Sequence, residues 1–386
     1  MTSFALAKKP LGFRAFFLLA AYSTVFSMLL WGGVYAHGTP VNSSYGMLYW
    51  HSHEMIFGFT LAIIAGFLLT AVQNWTGIAL ASGIKLAPLI IVWLAGRIVP
   101  FLSLSPLMIS IIDLSFIPLL MLYLAPPLIK AKKFKNLVML VLLALLFVCN
   151  LFFHLELLQV TQLTLRKAIF VSVDLTLIMI CIISGRIIPF FTGKVLDPEK
   201  SVKKPVFEIL SILSILLLVF SDLHLIEESL LRWLYIPAAI IHLLRIKGWY
   251  QKGVAKIPVL FVLYTGYSWL IIGFVLKGLS GFGIINGFTL IHAFTSGCMG
   301  VIILAMISRV SLGHTGRKIK SSKAVNVSFI VINLVALVRV FVPLINESYY
   351  IKAILWSSSL WVLAFLIFSC AFTPILLGVR ADGEEG

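Results

Sequence analysis

Apolar runs about as long as a bilayer is thick recur twelve times along this 386-residue chain, and that recurrence limits what it can fold into. A hydrocarbon core of about 30 Å takes roughly 20 helical residues to cross. The runs fall at 14–35, 54–73, 84–102, 106–129, 136–154, 168–190, 206–223, 230–246, 257–276, 284–308, 325–345 and 350–378. Lipid offers no partner to a bare peptide group, so each run must satisfy its backbone internally, as a helix does. The expected fold is therefore an all-α, polytopic membrane helical bundle forming a single integral domain over residues 1–386. Composition agrees: 61% of residues are hydrophobic and 11% charged, against about 25% charged in soluble domains. The bilayer is the first partner.

A net charge of +16 would suggest a nucleic-acid partner for a soluble protein. Here the basic residues sit in short connections between apolar runs, where they set orientation instead. With both termini in the cytoplasm, 23 of the 30 Lys and Arg lie on the inner side and 7 on the outer. Residues 1–36 loosely resemble a signal peptide, with Lys8, Lys9 and Arg14 ahead of an apolar stretch. That stretch reaches Tyr35, too long for a cleaved segment, so a retained first span is expected. Cys149, Cys181, Cys298 and Cys370 all fall in apolar runs without CxxC or CxxCH spacing, which argues against disulfides and covalently attached haem.

Runs 2, 6 and 10 end alike: TAVQNWTG at 70–77, RIIPFFTG at 186–193 and RVSLGHTG at 309–316. Further echoes are IEES at 226–229 with INES at 345–348, and Arg97–Pro100 with Arg339–Pro343. Three four-helix repeats are expected, at about 1–134, 135–256 and 257–386. The alignment makes His53 and His292 equivalent, each 24 residues before the terminal glycine. In the middle copy Ile169 stands there, and Asp174 aligns with Gly58 and Gly297.

Histidines inside a membrane are costly without partners, so they are candidate functional groups. Two imidazoles, His53 and His292, facing each other across a bundle would suit a non-covalent haem b. Interfacial placement is the plainer reading for His37, His154 and His224. His51 and His53 point to different faces of one helix, His51 with Met55 and His53 with Phe57. Arg97 and Arg339 are candidate anchors for haem propionates, or simple interface anchors. Glu54, Asp113 and Asp174 are intramembrane acids expected to bond partners or carry protons, and Glu54 could orient a histidine.

The runs WHSHEMIFGF (50–59), GFLLTAVQNWTG (66–77), AGRIVP (95–100), GRIIPFFT (185–192) and SRVSLGHTGR (308–317) together resemble the NnrS family over nearly the whole chain. That resemblance implies a haem- and copper-containing inner-membrane protein of the bacterial response to nitric oxide and nitrosative stress. Three four-helix arcs with histidines on helices 2 and 10 also look like the catalytic subunit of haem–copper oxidases. The sequence departs from that pattern, since helix 6 has no histidine and helix 7 only His224. Copper, implied by resemblance alone, would then fall to His51 with Met55, or to sulfur from Met299 or Cys298, so that with the haem pair the candidate metal ligands are His51, Met55, His53 and His292. Three functions follow as expectations: a protein that binds or processes nitric oxide or another diatomic gas, or protects iron from it; a quinol-linked reductase of NO or O2; and a small-solute transporter.

Overall fold

The computed structural model describes residues 10–38, 43–287 and 289–383, so Lys8 and Lys9 lie outside the described residues. Among the described residues, twelve helices are long and apolar enough to cross a membrane. They are α1 (Gly12–His37), α2 (Met47–Thr76), α3 (Gly83–Phe101), α4 (Pro106–Lys130), α5 (Phe134–Leu157) and α6 (Leu165–Val195). The series continues with α7 (Pro205–Asp222), α8 (Glu228–Trp249), α9 (Pro258–Gly281), α10 (Ala293–His314), α11 (Lys323–Ile345) and α12 (Glu347–Leu377). The chain is a multi-pass membrane protein. Each run expected from hydropathy corresponds to one of these helices.

Two boundaries differ from expectation. α2 starts at Met47 rather than near 54, because Trp50, His51 and His53 are compatible with helix although weakly hydropathic. Both histidines therefore lie inside the helix. α10 starts near His292 rather than at 284, since the glycine-rich stretch 281–287 includes Gly283 at φ +71°, a left-handed residue that ends α9. His292 thus sits at the start of its helix instead of two turns in.

Immediately after these two histidines the backbone widens into seven-residue π-helices, Glu54–Thr60 and Ala293–Met299. Such turns are rare and concentrate at functional sites. In α2 side chains satisfy the displaced carbonyls: Thr60 Oγ1 donates to the Met55 oxygen at 2.7 Å, and Trp93 Nε1 to the Gly58 oxygen at 3.1 Å. Both helices then terminate at a left-handed glycine, Gly77 at φ +69° and Gly316 at φ +70°. α6, which has Ile169 at the corresponding place, is α-helical along Leu165–Val195.

The chain divides into two compact units, residues 1–172, 309–319 and 365–386 in unit 1, and 173–308 and 320–364 in unit 2. In unit 1, α1 lies along α2 at small residues that let the helices close up. A Cβ on Gly12 would stand 2.7 Å from Leu69 Cβ, and one on Gly66 would stand 3.0 Å from Phe16 Cβ. Arg14 is buried and donates from Nη1 to the Leu376 and Gly378 oxygens at 3.0 and 2.6 Å. It so satisfies carbonyls at the end of α12 that no helical N–H can reach. In unit 2, α8 packs between α7 and α9. Gly300 admits the ring of Trp361, from which a Cβ would be 2.7 Å distant.

Candidate metal site

An up-and-down chain brings the starts of α2 and α4 and the ends of α3 and α5 to one end of unit 1. Each of those four segments carries a polar side chain: His53 and Glu54, then Asp113, then Arg97, then Asn150 and His154. The i, i+4 spacing of Asn150 and His154 puts both on one face of α5. His53 and His154 are 0% exposed, Asn150 is 1% and Asp113 4% exposed, so their polar atoms must find partners within the protein.

Asp113 is the hub. Its Oδ2 lies 3.1 Å from His53 Nε2, 3.1 Å from His154 Nε2, and accepts from Asn150 Nδ2 at 2.8 Å. Its Oδ1 accepts from Arg97 Nη2 at 2.6 Å, while Arg97 Nη1 donates to both Glu54 oxygens at 2.8 Å. His53 Nε2 is also 3.1 Å from Asn150 Oδ1, and Nδ1 is 3.5 Å from Glu54 Oε1. Glycines make room for this: a Cβ on Gly58 would meet Arg97 Nη1 at 2.6 Å, and one on Gly96 would meet Asp113 Oδ1 at 2.9 Å. Gly58 belongs to the π-helix of α2, so the widened backbone and the ion network occupy the same turn.

Two carboxylates face one guanidinium, which leaves one negative charge to balance. A proton on His53 balances it, and so does a cation. One ligand atom each from His53, Asp113 and His154 lies within 4.8 Å of the other two. A tetrahedral ion with bonds of about 2.0–2.1 Å needs donors about 3.3 Å apart, close to the two separations of 3.1 Å.

Aromatic rings enclose the cluster. His53 packs against Phe153 at 4.7 Å, Tyr45 at 4.9 Å and Phe57 at 5.0 Å between ring centroids. Tyr45, which precedes α2, also meets the His154 ring at 5.7 Å. Burial and the nearby Asp113 carboxylate hold its phenol well above the ordinary range, so it stays a neutral O–H donor. Tyr45 Oη and His154 Nδ1 are both buried with no hydrogen-bond partner among the described residues. Orphaned buried polar atoms beside a donor cluster are what an unseen water or ion leaves.

The remaining candidates have contacts of their own. His51 stacks on Trp31 of α1 at 4.2 Å, and Met55 Sδ is 3.8 Å from Thr24 Oγ1, so both use the α1 face of α2. His292 Nδ1 lies 3.3 Å from the Thr289 oxygen. Arg339 Cζ stands over the Tyr350 ring at 5.1 Å. Asp174 belongs to unit 2. Arg97, weighed above as a propionate anchor, spends its guanidinium on Glu54 and Asp113.

Unit 2 has a buried network of its own that the sequence did not signal. Arg245 pairs with Glu208 at 2.5 Å and donates from Nη1 to Tyr267 Oη at 2.7 Å and to Cys181 Sγ at 2.9 Å. Tyr267 Oη is 2.7 Å from His242 Nδ1, and His242 Nε2 is 3.0 Å from Ser214 Oγ. A pocket of about 360 Å³ opens beside it, lined in part by Phe207, Glu208, Arg245 and Trp249.

One family profile, described as NnrS protein, matches residues 9–380. The chain belongs to the NnrS family. No curated protein matches it. The NnrS match takes in all twelve helices and every member of the His53 cluster.

Proposed function

We propose that this NnrS chain is a metal-binding protein of the bacterial response to nitric oxide, and that its ion is held by His53, Asp113 and His154. The observation that carries the reading is the convergence of these three donor atoms in a fully buried place, beside two carboxylates that share one guanidinium. Two imidazoles and a carboxylate suit Cu(II), Fe(II) or Zn(II) better than Cu(I), which prefers sulfur. Such a ligand set leaves a position open for a small diatomic molecule. The chain's own groups do the rest: Arg97 fixes the Asp113 carboxylate, Phe57 and Phe153 keep water away, and the Tyr45 hydroxyl offers a hydrogen bond at the edge.

A haem on His53 does not fit. An axial bond needs an imidazole nitrogen turned to open space, whereas His53 Nε2 faces Asp113 and Asn150 at 3.1 Å. The excess of Lys and Arg in alternate connections supports an inner-membrane location with cytoplasmic termini.

The test is elemental analysis of purified protein with a pyridine haemochrome spectrum. A stoichiometric transition ion that disappears in His53→Ala and His154→Ala, with both variants still monodisperse, is the expected result. An ion retained by both variants, or a haem lost on His53→Ala, would overturn it.

A further inference from the structure

The pocket of about 360 Å³ in unit 2 takes no part in the metal site, and its walls carry an unbalanced charge. Lys204, Arg245 and Lys247 line it against a single acid, Glu208. That acid is already engaged, since it pairs with Arg245 at 2.5 Å. Lys204 and Lys247 have no ion pair among the described residues. Lys204 also stands immediately before α7 and gives its first turn no side-chain cap. This 18-residue helix therefore turns the positive end of its dipole toward the same opening. Two unmatched ammonium groups and a helix N-terminus around one cavity suit an anion.

The connection between α6 and α7 holds the cavity in shape. Val202 N–H donates to the Gly248 oxygen at 3.0 Å, and Gln251 Nε2 donates to the Asp197 oxygen at 2.7 Å and to Ser201 Oγ at 2.8 Å. A Cβ on Gly248 would stand 2.9 Å from the Val202 oxygen, so glycine lets this connection close on α8. Arg245 Cζ lies 4.7 Å from the centre of the Trp249 ring and fixes the indole wall. What leads away from the cavity decides the class of anion. Val206, Ile209 and Leu213 on α7 are exposed, as are Leu244 and Ile240 on α8. Helical spacing keeps each set on one face of its helix. Leu244 itself lines the cavity, so apolar surface begins there and continues along the helices. A soluble phosphate has no use for such a surface, whereas the chains of a phospholipid do.

We propose that this cavity binds the phosphodiester headgroup of an anionic phospholipid. Lys204, Lys247 and the start of α7 hold the phosphate, while Phe207 and Trp249 flank the glycerol portion. The acyl chains lie along the exposed apolar faces of α7 and α8. On the orientation proposed above this is the inner end of both helices, where anionic lipids give the membrane its negative surface.

The test is native mass spectrometry of the full chain, titrated with dioleoylphosphatidylglycerol or with dioleoylphosphatidylcholine. The expected result is one molecule of the anionic lipid retained in preference to the zwitterionic one. A lysine near an anionic group contributes about fivefold, so Lys204→Gln combined with Lys247→Gln should weaken retention about 25-fold. Both side chains are exposed, so the double variant should keep its fold. Lys133→Gln combined with Lys135→Gln, in the connection between α4 and α5, should leave retention unchanged. In wild-type nanodiscs a photoreactive phosphatidylglycerol should label residues 202–213 or 240–249. Equal retention of both lipids, an equal loss in the two double variants, or label confined to other helices would overturn the proposal. So would displacement of the lipid by inorganic phosphate, which would make the cavity a site for a soluble phosphate compound.

Discussion

Arg97→Met is the sharpest perturbation of the His53 cluster. It keeps a long apolar stem and removes the guanidinium that bridges Glu54 and Asp113. The side chains of Glu54 and Asp113 are 4% and 1% exposed and that of Arg97 13%, so water replaces little of the lost interaction. Stripping one partner from a buried ion pair costs about 3–5 kcal/mol, most of it the penalty of the charge left behind. The slight exposure of Arg97 places the expected loss near the lower end, about 3 kcal/mol. The assay is SDS-induced unfolding in mixed micelles. Because the cost is a charge imbalance, adding Glu54→Gln to Arg97→Met should restore at least half of it, a coupling of about 1.5 kcal/mol or more. Arg97→Lys keeps the charge but cannot bridge both carboxylates with one ammonium, and should fall between wild type and Arg97→Met. A loss below about 1 kcal/mol for Arg97→Met, or a double variant weaker than the single one, would refute this view of the cluster.

Other predictions follow from the same geometry. Gly58→Ala should destabilise the chain by about 1–3 kcal/mol, read in the same unfolding assay, because its Cβ would meet Arg97 Nη1 at 2.6 Å and Glu54 Oε2 at 2.7 Å. Gly77→Ala, at φ +69° with nothing within 4 Å of its Cβ, should cost only the backbone term of about 1–2 kcal/mol. His242→Phe should keep the stacking against Phe274, seen at 5.4 Å and 16°, while leaving the Tyr267 O–H without its acceptor, although Arg245 still donates to the oxygen. About 1–3 kcal/mol is expected for the stranded group, and Tyr267→Phe should recover part of it. Metal affinity measured by competition with a chelator should be full above the ordinary imidazole range, about pH 6.5. It should fall below that range, where protons compete for His53 and His154; an affinity flat down to pH 5 would be contrary.

The twelve helices were legible because lipid imposes a length and a composition that any window can read. Positions of the helix ends were less so: Met47–His53 is too polar to count as membrane-spanning by hydropathy, yet it is helical and carries both histidines of α2. His53, Glu54, Arg97 and Asp113 stood out as costly groups in apolar runs, and they meet in one cluster. Asn150 and His154 were not picked, because a histidine near a span end looks interfacial and an asparagine gives no charge signal. Their i, i+4 spacing on one face of α5 was the available clue. Arg245 ends an apolar run beside an inner connection, where basic residues ordinarily set orientation, whereas it is buried against Glu208, Cys181 and Tyr267. Nothing in local sequence distinguishes the two situations, since the partners come from three other helices. The π-helices were invisible as well, although the matched spacing of His53–Gly77 and His292–Gly316 marked the two helices that have them.

X-ray absorption spectroscopy of the metal in purified protein bears most directly on the site. Ligation by His53, Asp113 and His154 predicts a nitrogen and oxygen shell with imidazole outer-shell scattering, altered in His154→Ala. A shell containing sulfur, or one made of porphyrin nitrogens, would contradict it.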